Sequence, residues 1–332
     1  MQLKYQALLA NLKQEGAPPL ILLYGEERYH RDKVLEQIID STVPPSARDF
    51  NLTILHGKDV NGQKLIEEIQ TFPVFSDRRM VVVKDAHLVS ASELEKLEAI
   101  LPEPVADAVV VFVADKVDKR RKFFQQLQKT GVLVEFKPLY DNQIPAFVRE
   151  LLAADGLRMT ESAMAAFCRR SGTNLQEIVS ELQKLKAFVG DLDLIDQAEV
   201  EQVVSKSRHQ SVFDLTDALG GKDAGMALRV LRELLAEGES PVGVLSMLVR
   251  HFRQLWKIRA LLDRGISNKE IPRSVGVNPY FVNGLIQQAR NFTAQEFRTI
   301  YRSFVDADLA LKSSGAHPAA ILEDVALNLA KE

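Results

Sequence analysis

The chain has 332 residues, 46% of them hydrophobic, with a formal net charge of −3 and a single cysteine. That length sets a prior of about two to three domains with real cores. The charge balance excludes a globally basic nucleic-acid binder, and one cysteine excludes an intrachain disulfide or a cysteine-cluster metal site. The longest apolar runs, such as Ala108 to Ala114, fall well short of the ~20 residues of a membrane span. The amphipathic start, with Lys4, Gln6 and Asn11, does not read as a signal peptide. The expected setting is soluble and cytoplasmic, with no membrane partner.

Residues 1–140 alternate between apolar runs and helical patterns. Strands are predicted at Leu20–Tyr24, Asn51–Leu55, Met80–Val83, Val109–Val113 and Val132–Phe136. Helices are predicted near Arg31–Asp40, Gly62–Thr71, Ser92–Leu101 and Arg120–Lys129. Continuously apolar strands separated by helices imply an α/β domain, its parallel sheet covered on both faces.

The first of these strands carries the most informative motif. Leu20-Ile21-Leu22-Leu23-Tyr24 ends at Gly25 and a helix follows, the layout of the phosphate-binding loop G-x-x-x-x-G-K-[ST]. Counting from Gly25, His30 stands at the second glycine, Arg31 at the lysine and Asp32 at the Mg²⁺-binding hydroxyl. Glu26 and Glu27 put carboxylates where backbone N–H groups should meet phosphate. Further on, Met80-Val81-Val82-Val83-Lys84-Asp85-Ala86-His87 resembles the Mg²⁺-side strand that ends D-E-A-H. Lys84 replaces the metal-binding aspartate, and Asp85 stands at the water-polarising glutamate. A lysine at a Mg²⁺ position opposes the cation. The frame of a nucleotide site is present and its chemical residues are absent, so no cofactor is implied.

After Lys137-Pro138 the strand signal disappears. Short helices are predicted at Asn142–Leu152, Thr160–Arg170, Asn174–Phe188 and Gln197–Lys206, with Thr160 and Asn174 as N-caps. They make a small helical domain over 141–207. Ser205–Ser211 reads as a linker. From 211 to 332 the pattern is all helical, broken at Gly220-Gly221, Gly238–Pro241, Gly265, Pro272, Gly276, Pro279 and Gly315–Pro318. The wide apolar faces of Leu228, Leu231, Leu234, Leu235, Val244, Leu245, Leu248 and Val249 exceed what one small domain is expected to cover.

Three features together resemble the delta-subunit family of bacterial DNA polymerase III clamp loaders. They are the degenerate loop Leu22-Leu23-Tyr24-Gly25-Glu26-Glu27, the segment Phe72-Pro73-Val74-Phe75-Ser76-Asp77-Arg78-Arg79 before an apolar strand, and the helical C-terminal part. The resemblance spans the whole chain. It implies an AAA+-like parallel-sheet domain (1–140), a helical lid (141–207) and a helical collar (211–332). It implies a subunit that binds and opens the sliding clamp during replication and is not catalytic by itself. The implied partners are the sliding clamp (beta subunit), the ATPase and delta-prime subunits of a hetero-pentamer, and primer–template DNA through the assembly. The lid agrees: Ser171-Gly172-Thr173-Asn174-Leu175 is followed by Gln176 and Glu177, near where working lids carry an arginine. Ser207-Arg208-His209, similar to an arginine-finger motif, falls in the linker.

Several residues admit two readings. Leu65, Ile66, Ile69 and Phe72 repeat at helical spacing, so Phe72 is expected to face the core. Pro73 ends the helix, leaving Val74 and Phe75 on a turn. They either fold back under the sheet or plug a pocket on another protein; the family's clamp-binding residues occupy these two positions. Lys116, Lys119, Arg120, Arg121 and Lys122 form a basic run, either a solvated helix start or a DNA-phosphate contact within an assembly. Ser267 to Val282 resembles a helix-turn-helix, which raises a DNA-binding regulator as an alternative. Its second helix would carry Tyr280, Phe281 and Val282, which suit core packing better than base reading. A working ATPase with an unusual loop is the other alternative. Cys168 reads as a core residue rather than a nucleophile, and Trp256 as a helix-packing anchor.

Overall fold

Strand composition sets the first unit. In the computed structural model, Gln2–Leu3 (β1), Leu20–Tyr24 (β2), Leu52–His56 (β3), Arg79–Lys84 (β4), Ala108–Ala114 (β5) and Val132–Glu135 (β6) form one parallel sheet in the order β1-β6-β2-β5-β4-β3. The structure describes residues 2–190, 192–205, 208–268, 270–278, 280–313, 315 and 317–330. The central register pairs Leu22 with both Leu133 and Phe112, and Val82 with both Val111 and Ile54.

Side chains alternate across each strand, so the sheet feeds two cores. Leu20, Leu22, Val81, Val83, Val110 and Phe112 point one way. They pack against helices Gly62–Gln70 (α4), Ala91–Leu97 (α5) and Lys122–Thr130 (α6) through Leu65, Ile69, Leu94, Phe123 and Leu127. Ile21, Leu23, Met80, Val82, Val109 and Val111 point the other way. They meet Tyr5–Glu15 (α1) and Arg28–Thr42 (α2) through Leu8, Leu12, Val34, Leu35 and Ile38. A short helix, Arg48–Asn51 (α3), leads into the edge strand β3. Both faces being dry, β2 and β5 are buried at every residue.

The chain divides into two units, Met1–Pro138 and Leu139–Glu332. The expected lid and collar both lie in the second. It begins with Ile144–Ala154 (α7), Glu161–Ser171 (α8), Leu175–Val189 (α9) and Gln197–Val203 (α10). Thr160 Oγ1 accepts from Ala163 N at 3.2 Å, and Asn174 Oδ1 accepts from Gln176 N and Glu177 N at 3.0 and 3.3 Å, so both expected caps form. Two strands that the sequence did not announce, Arg158–Met159 (β7) and Leu194–Ile195 (β8), pair in parallel. Two residues are too few to give a period of two.

The rest of the unit consists of Arg208–Gly220 (α11), Ala224–Ala236 (α12), Pro241–Asp263 (α13), Ile271–Val275 (α14), Val282–Arg290 (α15), Ala294–Ser313 (α16) and Pro318–Ala330 (α17) around one core. The linker expected at Ser205–Ser211 is helical from Arg208 on, and residues 206 and 207 lie outside the described ones. No glycine or proline interrupts Arg208–Leu219, so a polar stretch there opposes the helix only weakly.

Two further expectations are corrected here. Leu231, Leu234, Val244, Leu245 and Leu248 are buried in the unit's own core, with Leu228, Leu235 and Val249 packed against it. The exposed apolar side chains are instead Val242, Val305, Leu309 and Leu327. In the segment resembling a helix-turn-helix, α15 starts only at Val282, so Tyr280 and Phe281 precede it. Both turn toward the preceding helices: the Tyr280 hydroxyl donates to Glu161, and Arg169 lies over the Phe281 ring at 5.8 Å. Val277, Val282, Leu285 and Ile286 are core; Lys269 and Pro279 lie outside the described residues. Trp256 stacks on Phe297 at 5.7 Å and meets Tyr301 at 5.2 Å, tying α13 to α16. Cys168 is buried, and burial pushes its thiol up to about 12, which removes thiolate chemistry at neutral pH.

Candidate functional site

Parallel strands expose two opposite ends of one sheet, and each end carries one of the segments singled out in the sequence. At the carboxyl ends lie Gly25, Lys84 and Asp115. Gly25 follows β2 with φ +130°, and a Cβ there would come within 2.0 Å of the Phe136 carbonyl oxygen. The glycine therefore serves close backbone approach as well as turn geometry.

The start of α2 is where a phosphate would meet the helix N-terminus. The chain supplies its own anion there. The buried Glu27 side chain accepts from Tyr29 N at 2.8 Å and from His30 N at 3.0 Å, and it pairs with His30 Nδ1 at 2.7 Å. Arg31 is buried too. Its Nη1 donates to the Gly25 carbonyl at 2.9 Å, the Ala114 carbonyl at 3.2 Å and Asp115 Oδ1 at 2.7 Å. Arg28 reaches the other Asp115 oxygen at 2.5 Å. Partial burial raises the Asp115 carboxyl, but the Arg31 and Arg28 guanidiniums outweigh it and hold it below the usual carboxylate range. Asp32 and Glu26 face solvent, and Lys84 is half-buried at the end of β4. Asp85 takes a left-handed conformation, φ +54°, with Oδ2 3.7 Å from His56 Nδ1.

At the amino end of β4 lies the turn. Helix α4 stops at Gln70, so the spacing that buries Leu65 and Ile69 no longer governs Phe72. Phe72 is 80% exposed, not core-facing. Pro73 follows, and then Val74 and Phe75 are 43% and 88% exposed. Neither folds under the sheet. Phe75 sits at φ +56°, a left-handed backbone that costs a bulky residue about 1–3 kcal/mol and persists only where its surroundings enforce it.

The enforcing residue is Asn51, which is fully buried and which sequence reasoning missed as a site residue. Its Nδ2 donates to the Val74 carbonyl at 2.5 Å, and its Oδ1 accepts from Val74 N at 2.7 Å. Next to it, the exposed Phe50 ring meets Phe75 edge-on at 6.3 Å. The two arginines of the segment brace this turn. Arg79, buried, donates to the Phe50 carbonyl at 2.8 Å and to Thr53 Oγ1 at 3.2 Å, and it pairs with Glu68. Arg78 donates to the Ala17 carbonyl at 2.5 Å.

The basic run stands apart from both. Arg120 pairs with Asp118 at 3.0 Å, Lys122 pairs with Glu98 at 3.0 Å, and Lys119 lies 5.4 Å from the Tyr24 ring centre. Helix α6 starts at Lys122, with Arg121 as its cap residue, so most of the run precedes the helix. All five cations, Lys116 included, are exposed. Among the described residues no group of three or more His, Cys, Asp or Glu is placed to hold a metal ion, and no helix is long and apolar enough to cross a membrane.

Two family models match the chain: DNA polymerase III, delta subunit, over residues 21–137, and DNA polymerase III delta subunit, C-terminal domain, over residues 209–329. The chain belongs to the DNA polymerase III delta subunit family. DNA polymerase III subunit delta of Bacillus subtilis is 25% identical over 331 residues, 97% of this chain and 95% of the relative. The probable delta subunit of Aquifex aeolicus is 22% identical over 275 residues, 79% of this chain and 77% of the relative. A solved structure, the Bacillus subtilis DNA clamp loader delta protein, aligns over 99% of this chain and 100% of its own with a TM-score of 0.54 at 25% identity. The AAA+-like fold read from the degenerate loop thus agrees with the family, and nothing favours a helix-turn-helix regulator.

In this delta-family chain Arg31 has a structural task that lysine cannot perform, because a single ammonium cannot reproduce a planar fork. Arg31→Lys should destabilise the first unit by about 1.5–3 kcal/mol, the range for hydrogen bonds to charged groups. The Asp115 carboxyl is lowered in the folded state, so its contribution is present above the ordinary carboxylate range and lost as pH falls through it. Thermal melts of wild type and variant should differ most near neutrality and converge in acid.

Proposed function

We propose that the chain grips the sliding clamp through the turn at residues 72–75 and carries no working nucleotide site. As a member of the delta family it serves as a clamp-loader subunit in DNA replication and assembles with other DNA polymerase III subunits. The observation that carries the finer reading is the turn itself. Three large apolar side chains, Phe72, Val74 and Phe75, stand in solvent on a backbone that is strained and pinned. Such expenditure of stability on exposed apolar surface has a use only when a partner covers it. An apolar pocket on the clamp ring is the occupant that the family suggests.

Nucleotide is disfavoured for a reason independent of the turn. Glu27 already satisfies the helix N-terminus with a carboxylate, and a second anion there would meet like charge. Arg31 is spent on Gly25, Ala114 and Asp115, and Lys84 opposes Mg²⁺. The second unit would join the ATPase and delta-prime subunits through apolar side chains left uncovered, Val305 and Leu309 one turn apart on α16 among them. Contact of Lys116, Lys119, Arg120, Arg121 and Lys122 with primer–template DNA inside that assembly is supported by their exposure and charge alone. The cytoplasm is the setting such a role requires.

Burying one such side chain is worth about 1.5–3 kcal/mol. The double substitution Val74→Ala, Phe75→Ala should therefore weaken clamp binding by about a hundredfold or more, at about 1.4 kcal/mol per decade. Melting temperature should barely move, since surface changes stay within about 0.5 kcal/mol. A large loss of stability with little specific loss of affinity would sink the reading.

Calorimetric titration with Mg-ATP should give no heat of binding at millimolar nucleotide. Micromolar affinity would instead revive a working ATPase.

For the collar, Val305→Asp with Leu309→Asp in the full chain should weaken assembly with the partner subunits by about tenfold or more, as loss of an apolar anchor does. Clamp affinity of the free chain should stay unchanged. Assembly at wild-type strength would move the contact elsewhere.

A further inference from the structure

Asn51 and Phe50 stand next to each other at the end of α3, twenty-three residues before the turn they touch. We infer that Asn51 is the positioning residue of the clamp-gripping turn and that Phe50 is a third apolar contact to the same pocket; the inference rests on the reading of residues 72–75 given above.

A side-chain amide carries one acceptor and one donor side by side, the pattern a neighbouring strand would offer. Asn51 uses both on a single residue, Val74, and so imitates one rung of a ladder. This rung lies immediately before Phe75, where the backbone must turn left-handed. Unpinned, a phenylalanine would return to ordinary backbone space and carry its ring elsewhere. The third polar contact of Asn51, from Nδ2 to the Ala47 carbonyl at 3.1 Å, fixes the amide within its own helix. Arg79 then ties the Phe50 carbonyl to the first residue of β4, so the latch is braced by the sheet.

Phe50 follows from the same geometry. It is more than half exposed, and its ring edge faces Phe75. A pocket that receives Phe75 therefore meets Phe50 on its flank. Phe50 belongs to a different helix from the turn, so no reading of the Phe72–Arg79 segment would include it.

Positioning and contact make different demands on a mutant. Without the latch the turn samples other conformers, and apparent affinity falls by the fraction that remains competent. If that fraction is about one tenth, Asn51→Ala weakens clamp binding about tenfold. Removal of a buried hydrogen-bonding group also lowers stability, so affinity must be read where the variant is fully folded.

The test is a double-mutant cycle on the full chain, with clamp affinity measured alongside melting temperature and assembly with the partner subunits. The expected result is about a tenfold loss for Asn51→Ala alone and almost none when it is added to Val74→Ala, Phe75→Ala. Phe50→Ala should cost severalfold, with assembly and melting temperature retained. Equal losses for Asn51→Ala in both backgrounds mean a general structural role and overturn the positioning claim. Wild-type affinity for Phe50→Ala overturns the third contact. If Val74→Ala, Phe75→Ala itself binds the clamp normally, it is the clamp-gripping reading that fails, not the latch alone.

Discussion

Every functional feature of the first unit hangs on a parallel sheet whose strands are dry on both faces. Parallel order sends all carboxyl ends to one edge and all amino ends to the other. Strand β4 spans the two: Arg79 begins it beside the turn, and Lys84 ends it beside the loop. The same six residues therefore brace an exposed apolar turn at one end and deny Mg²⁺ at the other. Because Val81, Val82 and Val83 are fully buried, neither end can shift without the rest of the sheet.

The nucleotide frame shows how a binding site is retired without loss of its fold. A phosphate at a helix N-terminus is held by backbone N–H groups and the helix dipole. Glu27 meets the same groups at 2.8 and 3.0 Å. The guanidinium of Arg31 draws three oxygens together where the lysine of a working loop would reach out to a nucleotide. Ligand contacts have become internal contacts, so the loop stays ordered with nothing bound.

Much of this was legible in the sequence because it is local. Leu20–Tyr24 and Ala108–Ala114 are strand-length apolar runs; Thr160 and Asn174 are caps next to the helices that they start. The misreadings have a common cause in distance and in element ends. Phe72 continued a helical period past the point where the helix stops, so periodicity placed it in the core. Leu231, Leu245 and their neighbours looked like an excess of apolar surface because the helices that cover them lie far along the chain. Asn51 was invisible as a functional residue, since its partner is twenty-three residues away and an asparagine before a strand is ordinary turn chemistry. The paired strands of two residues each leave no pattern at all.

Amide hydrogen exchange of the full chain, free and bound to the sliding clamp, tests the central claim most directly. Protection should be gained at residues 50–51 and 72–78, with the loop at 25–32 unchanged and already slow in the absence of nucleotide. Protection that appears at 25–32 or along α16 on clamp binding, with none at 72–78, would contradict it.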